Sequence, residues 1–345
     1  MHMADALVSP AVGLSMTAVS VAAVGVSVLK VKRNDLNEKT VPLMGVAGAL
    51  IFAAQMINFA IPGTGASGHI AGGILLSGLL GGAPAFLSMT AVLIIQCLFF
   101  ADGGLLALGC NVFNLGVIPC LLIYPLVFKT FTKNIVNYNR ITIASIVSVI
   151  FALELGAFCV VAQTYISNIT ELPFGIFISL MLPIHLVIGL IEGIVTAAIL
   201  CFIYRTRPEI ISSARSFESG EIKSVKRANS IILILAAMTI VVGGLLSLFV
   251  SANPDGLEWA INKTKEKTPA IEAGTITENE KDVSGFENTT GAQNTTAILP
   301  GYAFASDPEN AAGTSVSGIV GAVITFALAC AAGLVITKVK NKKKV

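Results

Sequence analysis

The chain has 345 residues, of which 54% are hydrophobic and only 12% charged, with a mean hydropathy of +0.83. That balance excludes an ordinary soluble globular protein, in which about a quarter of residues are charged, and several runs of about 20 mostly apolar residues are long enough to cross a bilayer core. The net charge of +2 decides little by itself because it is unevenly spread: residues 251–315 hold ten acidic residues against four lysines.

The chain opens with Met1-His2, a pair with chemistry of its own. A free amine, the amide nitrogen of residue 2 and its imidazole wrap a divalent metal as fused five- and six-membered chelate rings, and one further imidazole closes a planar set of four nitrogens. Such tetragonal sets suit Ni(II) or Cu(II), and less strictly Co(II), whereas structural zinc takes a tetrahedron. His2 and Asp5 stand where a leader would carry basic residues, and Ser9-Pro10 offers no convincing cleavage site. A bulky second residue also disfavours trimming of the initiator methionine, so the amine is expected to survive.

Spans are expected near 7–29, 40–60, 70–82, 84–101, 105–128, 141–167, 175–204, 230–250 and 316–337, the third too short to cross comfortably. Lys30, Lys32, Arg33 and Lys39 follow the first span; Lys129, Lys133 and Arg140 follow the fifth. Arg205, Arg207, Arg215, Lys223, Lys226 and Arg227 follow the seventh, and five lysines from Lys338 to Lys344 follow the ninth. The loops at 61–69, 102–104 and 168–174 hold no Lys or Arg. Nine alternating spans satisfy this pattern with the N-terminus outside, the C-terminus cytoplasmic and the 61–69 loop on the side of Met1. The expected fold is all-α: a polytopic helical bundle in the cell membrane, with a seven-span core and a two-span C-terminal module.

Within the first span, Ala11/Ser15, Ala18/Ala22 and Ala23/Ser27 are small-residue pairs suited to close helix contact inside the bundle or with another subunit, the former preferred. The loop Pro62-Gly63-Thr64-Gly65-Ala66-Ser67-Gly68-His69 is able to fold inward as a re-entrant loop and set the His69 imidazole in a protected cavity. Asp102, at the outer mouth, either attracts cations or caps a helix. Asn111 and Asn114, near the outer end of the fifth span, either orient a ligand imidazole or the N-terminal segment, or make ordinary interhelical contacts. His185, Glu192 and Thr196 share one face of the seventh span, either as a structural hydrogen-bond network with partners such as Glu154, the preferred reading, or as a release relay.

The six cysteines lie within spans without CxxC spacing and read as packing residues. The basic stretch 205–229 separates residues 1–215 from 228–345, with the boundary near 215–228. The acidic segment 251–315 has few aromatics and a middle expected to be poorly ordered; it carries N-x-T triplets at Asn262, Asn288 and Asn294. No internal repeat and no phosphate-binding GxxxxGK[ST] loop is present, so ATP-driven work would need partner chains.

Four segments resemble the CbiM/NikM substrate-capture subunits of energy-coupling-factor transporters for cobalt and nickel: MHMADALVSP at the start, GASGHIAGGILLSGLLGG at 65–82, ADGGLLALGCNVFNLGV at 101–117 and MLPIHLVIGLIEGIVTA at 181–197. The resemblance covers residues 1–204. It implies a metal held by the amine of Met1, the amide nitrogen and imidazole of His2, and the imidazole of His69. It also implies a transmembrane coupling subunit and cytoplasmic P-loop ATPases as partners. SANPDGLEWA at 251–260, with PGYAF at 300–304 and SGIVGAVITFALA at 317–329, resembles the small PDGLE accessory subunit (CbiN/NikN-like), here fused. In that segment Asp255 and Glu258 read as helix caps or anchors more readily than as ligands.

The expected function is capture of Ni(II), favoured by planar nitrogen ligation, or of Co(II), as transported substrate, with no permanent cofactor, no nucleic-acid partner and no catalysis by this chain. A different class stays open: a gated channel or proton-coupled carrier using His185, Glu192 and Glu154. A membrane enzyme has no nucleophile–base pair or cofactor fingerprint to support it.

Overall fold

The computed structural model describes residues 1–33, 40–133, 136–208, 211, 228–268, 293, 297–304, 306–307 and 310–341. The expected boundary near 215–228 falls almost wholly outside this set, as do the middle of the acidic segment, Asn288, Asn294 and Lys342–Lys344. Among the described residues the regular structure is helical apart from one two-stranded hairpin. The helices are α1 (Pro10–Arg33), α2 (Thr40–Gln55), α3 (Gly73–Leu80), α4 (Gly82–Phe100), α5 (Leu108–Thr132), α6 (Tyr138–Ser167), α7 (Phe174–Thr206), α8 (Ala228–Ile240), α9 (Gly256–Lys267) and α10 (Ala311–Asn341). A π turn and a 3₁₀ turn carry α8 on to Phe249.

Seven of these are long and apolar enough to cross a bilayer: α1, α4, α5, α6, α7, α8 with its extension, and α10. Of the nine expected spans, the third is short as expected, and the second is corrected: it too falls short of a full crossing. With 16 residues, α2 is about 24 Å long, and α3, with 8, about 12 Å, against a hydrocarbon core of about 30 Å. The reason lies between them. Pro62, Gly63 (φ 78°) and Gly65 (φ 73°) turn the chain back on itself, so β1 (Phe59–Ile61) pairs antiparallel with β2 (Ala66–Gly68). A hairpin in a membrane protein keeps its main-chain groups satisfied only when covered by protein, and Ala66, Ser67 and Gly68 are all buried.

Within α5, residues Phe113–Phe128 run as a π-helix around Pro119 and Pro125, two residues that lack a main-chain donor. α6 and α7 form a tight antiparallel pair; a Cβ on Gly193 would lie 2.8 Å from the Ile146 Cα, so only glycine permits this approach. α10 packs along α2, where Gly45 faces Phe326 and Cys330 and Gly321 faces Phe52. The basic ends of α5 and α7 gather around the start of α6: Arg140 Nη1 donates to the Phe131 carbonyl, and Tyr204 Oη to the Val136 carbonyl. α1 is the least covered spanning helix. Its Ala11, Ser15, Ala18 and Ala22 are exposed, so these small residues do not serve packing within this bundle as expected, whereas Ser27 does.

Candidate metal centre

The site is built at the end of the bundle opposite those basic helix ends, where the N-terminal segment plugs between the hairpin and the start of α5. Asn111 grips Met3 in both directions, accepting from its main-chain nitrogen at 2.7 Å and donating to its carbonyl at 3.1 Å. The Met3 carbonyl also accepts from Gly104 N, and Asp5 accepts from Ala107 N at 3.0 Å. Asn114 forms a reciprocal amide pair with Gln163 of α6, at 2.8 and 3.1 Å, and its Nδ2 meets the Met3 sulfur at 3.7 Å. Asn111 thus matches the reading of holding the N-terminal segment, whereas Asn114, paired with Gln163 of α6, matches that of an interhelical contact and meets the segment only at the Met3 sulfur.

Thus fixed, the Met1 nitrogen is buried and lies 2.8 Å from His69 Nε2 and 2.9 Å from Asp255 Oδ2. With Nε2 accepting from the ammonium, the His69 ring carries its proton on Nδ1. The His2 and His69 rings stack with centroids 5.4 Å apart and planes within 7° of parallel. His2 Nδ1 lies 3.3 Å from Asp102 Oδ1, and Tyr302 Oη donates to Asp102 Oδ2 at 2.5 Å. Asp102 therefore engages His2 and Tyr302 rather than capping α5, which starts six residues later at Leu108.

Charge at the site follows burial and neighbours. Burial pushes the His2 imidazole below its ordinary 6.5 and outweighs the opposing pull of Asp102. Burial, then the Met1 ammonium and His2, hold His69 well below that value. Burial works upward on the half-buried Asp255 carboxyl, but the Met1 ammonium, His69 and the Glu258 main-chain N–H hold it below the usual carboxylate range. The resting arrangement is an ion pair, Met1–Asp255, beside two neutral imidazoles.

The hairpin that presents His69 is clamped from two sides. From the C-terminal half, Ser67 N donates to the Pro254 carbonyl at 2.7 Å, Ser67 Oγ to the Asn253 carbonyl at 2.8 Å, and Trp259 Nε1 to the Thr64 carbonyl at 2.9 Å. Asp255 serves twice: Oδ1 caps α9 through Glu258 N at 2.8 Å, while Oδ2 takes the Met1 amine. From below, Glu192 of α7 accepts from Ala71 N at 2.8 Å and Gly72 N at 2.9 Å, two donors at the start of α3. A small cavity lined by Ala71, Gly73, Asn114, Pro119 and Glu192 lies directly beneath.

The expected network of His185, Glu192 and Thr196 with Glu154 is not formed as one unit among the described residues. Glu192 is spent on the loop, His185 Nδ1 pairs with its own helix at the Met181 carbonyl, and Thr196 Oγ1 and Glu154 Oε1 are buried without partners. The His185 ring instead lies under Gly256, where a Cβ would come within 3.2 Å of it. Among the described residues no group of three or more His, Cys, Asp and Glu side chains has metal-holding geometry; a metal here needs main-chain nitrogen. Sequence reasoning missed Asp5, Gln163 and Tyr302 as parts of this site, and no local spacing marks them.

The CbiM family, described as the cobalt uptake substrate-specific transmembrane region, matches residues 2–210, and the PDGLE domain matches residues 229–338. A protein of Haloquadratum walsbyi that bears a metal-transport name is 36% identical over 211 residues, covering 61% of this chain and 93% of its own. One of Archaeoglobus fulgidus, named as a fused nickel transport protein, is 35% identical over 215 residues, covering 61% and 68%. A crystal structure described as a truncated transition metal transporter superposes with a TM-score of 0.52 at 28% identity, covering 59% of this chain and 99% of that one. The chain is a multi-pass membrane protein and belongs to the CbiM family, with a PDGLE domain following its CbiM region.

Proposed function

We propose that this protein is the substrate-capture subunit of an ATP-driven uptake transporter for Ni(II) or Co(II), holding the ion in a plane of four nitrogens: the Met1 amine, the His2 amide nitrogen and Nδ1, and His69 Nε2. One observation carries this reading, the 2.8 Å between the Met1 nitrogen and His69 Nε2. Two nitrogens at that spacing are adjacent corners of a square whose centre lies about 2.0 Å from each, an ordinary metal–nitrogen distance. The other two corners follow from covalent geometry, because the His2 amide and Nδ1 close five- and six-membered rings with any metal bound by the amine.

Capture turns His2 Nδ1 from Asp102 to the metal. The ammonium and the amide each give up a proton, so two protons leave for each ion bound. An ionised amide nitrogen is a strong-field donor and favours planar Ni(II), while Zn(II) loses its preferred tetrahedron. The nickel name of one relative and the cobalt description of the family are compatible with either ion.

The metal is cargo, and the chain catalyses nothing. ATP hydrolysis falls to cytoplasmic P-loop partners acting through a transmembrane coupling subunit. Residues 1–215 form the capture domain and 228–345 the accessory module. The lysine and arginine pattern supports a centre facing outward and a cytoplasmic C-terminus.

Purified full-length protein with an unmodified N-terminus is expected to bind one Ni(II) or Co(II) per chain. His2→Ala, His69→Ala and Nα-acetylation each abolish tight binding with the bundle still folded. Tight binding retained under an N-terminal extension overturns the chelate.

A further inference from the structure

The two carboxylates paired with the Met1 amine and the His2 ring are tied to the C-terminal half of the chain. Asp255 lies in the Pro254-Asp255-Gly256-Leu257-Glu258 segment itself, and Asp102 is held by Tyr302. We propose that Asp255 is the counter-ion of the capture site, a positioning residue by which the PDGLE module makes the centre electrically complete. This inference rests on the capture reading above.

The argument is one of charge in a covered place. The Met1 nitrogen is almost wholly buried, and a buried cation without a partner is costly. In the empty state Asp255 Oδ2, 2.9 Å away, is that partner. In the loaded state a divalent ion bound by three neutral nitrogens and one ionised amide carries one positive charge in excess. The same carboxylate faces it without moving far, since Oδ1 is pinned to Glu258 N at the start of α9 and the preceding Pro254 carbonyl is paired with Ser67 N. One aspartate thus balances an ammonium before capture and a metal–amide complex after it; without the aspartate the empty site can return its N-terminal amine to water, whereas the loaded complex, tied to His69, cannot, so the loss falls on the loaded state. The capture half alone supplies Asp102, which lies 3.3 Å from His2 Nδ1 at the far donor and leaves the amine unbalanced.

The test separates charge from docking. Asp255→Asn keeps an N-cap of equal quality, because asparagine is as good a cap as aspartate, and replaces the Oδ2 that accepts from the Met1 amine with an uncharged amide nitrogen. Trp259→Phe breaks the Trp259–Thr64 bond, which docks α9 on the hairpin, and leaves every charge in place. With full-length protein, untagged at its N-terminus and titrated with NiCl₂, Asp255→Asn is expected to weaken affinity about tenfold or more. At saturation its planar Ni(II) absorption band should match the unmodified protein, since the four nitrogens are unchanged, and Trp259→Phe should bind within about threefold of it.

Unchanged affinity in Asp255→Asn, or an equal loss in both variants, overturns the counter-ion role while leaving capture intact. Failure of the unmodified chain to bind Ni(II) or Co(II), or binding indifferent to His69→Ala, overturns the capture reading itself.

Discussion

At the residue scale, the proposed centre holds its candidate donors in protonation states that differ from those capture would need. The imidazoles are ready: burial holds His2 and His69 below 6.5, so both stay neutral at neutral pH. The unfolded chain takes up protons at these histidines first as pH falls, so the stability they contribute is present above about 6.5 and is lost below it. The amine and amide are not ready and must shed protons. Nickel affinity should therefore fall as pH falls, by about 100-fold per unit wherever two protons leave for each ion bound. Calorimetry in buffers of different ionisation enthalpy should count about two protons released per ion, and a count near zero would exclude amide coordination.

Asn111 presents a second residue-scale prediction. Asn111→Ala leaves the Met3 N–H buried without its partner, at a cost of about 1–3 kcal/mol, and frees the segment carrying three of the four proposed donors. Nickel affinity should drop more than the thermal midpoint does. Met1, His2 and His69 stand out in the sequence because few residue types chelate and because an N-terminal amine is singular. Asp255 reads in the sequence as a cap or anchor more readily than as a ligand. Its second role depends on an approach between positions 254 residues apart, which no local pattern encodes.

At the scale of elements, the centre hangs on the start of α3. The N–H groups that begin a helix have no partner inside it and carry the positive end of its dipole. The Glu192 carboxylate, brought from α7, accepts from the N–H of the N-cap Gly72 and of Ala71 just before it, directly after His69-Ile70. Glu192→Gln replaces one charged acceptor oxygen with an amide donor aimed at an N–H. It should cost about 1.5–3 kcal/mol in stability, and a shifted His69 should weaken nickel binding without abolishing it. Thermal unfolding in detergent, paired with a metal titration, would check this; an unaltered affinity would mean the hairpin is held by its other clamp alone. The spacing of His185, Glu192 and Thr196 was readable as one helix face, but their partners were not. The glycines and Pro62 announced a turned loop, yet pairing of 59–61 with 66–68 arises from the fold around it rather than from strand-like alternation.

At the scale of the molecule, the order of spans was legible because hydropathy and basic residues are global signals. The half-length α3 is legible too, from its short apolar run, but the short α2 is less so, since a covered hairpin lets apolar sequence stop partway, and apolar sequence looks alike whether it meets lipid or protein. The two regions of the chain meet along α2 and α10, and again where Ser67, Thr64 and Met1 meet Pro254, Trp259 and Asp255. Expressed as two polypeptides cut between 210 and 228, they should form a centre whose nickel affinity rises with the concentration of the second fragment. Affinity independent of that fragment would show that the carboxylate arm contributes nothing.

Covalent fusion removes this dependence. A tethered arm meets its site at an effective concentration on the order of millimolar, far above what a sparse membrane protein reaches in two dimensions. The Met1–Asp255 pair, joining the first residue of one region to the signature of the other, would then form at the same rate however few copies the cell makes. Fusion turns an assembly problem into a folding one.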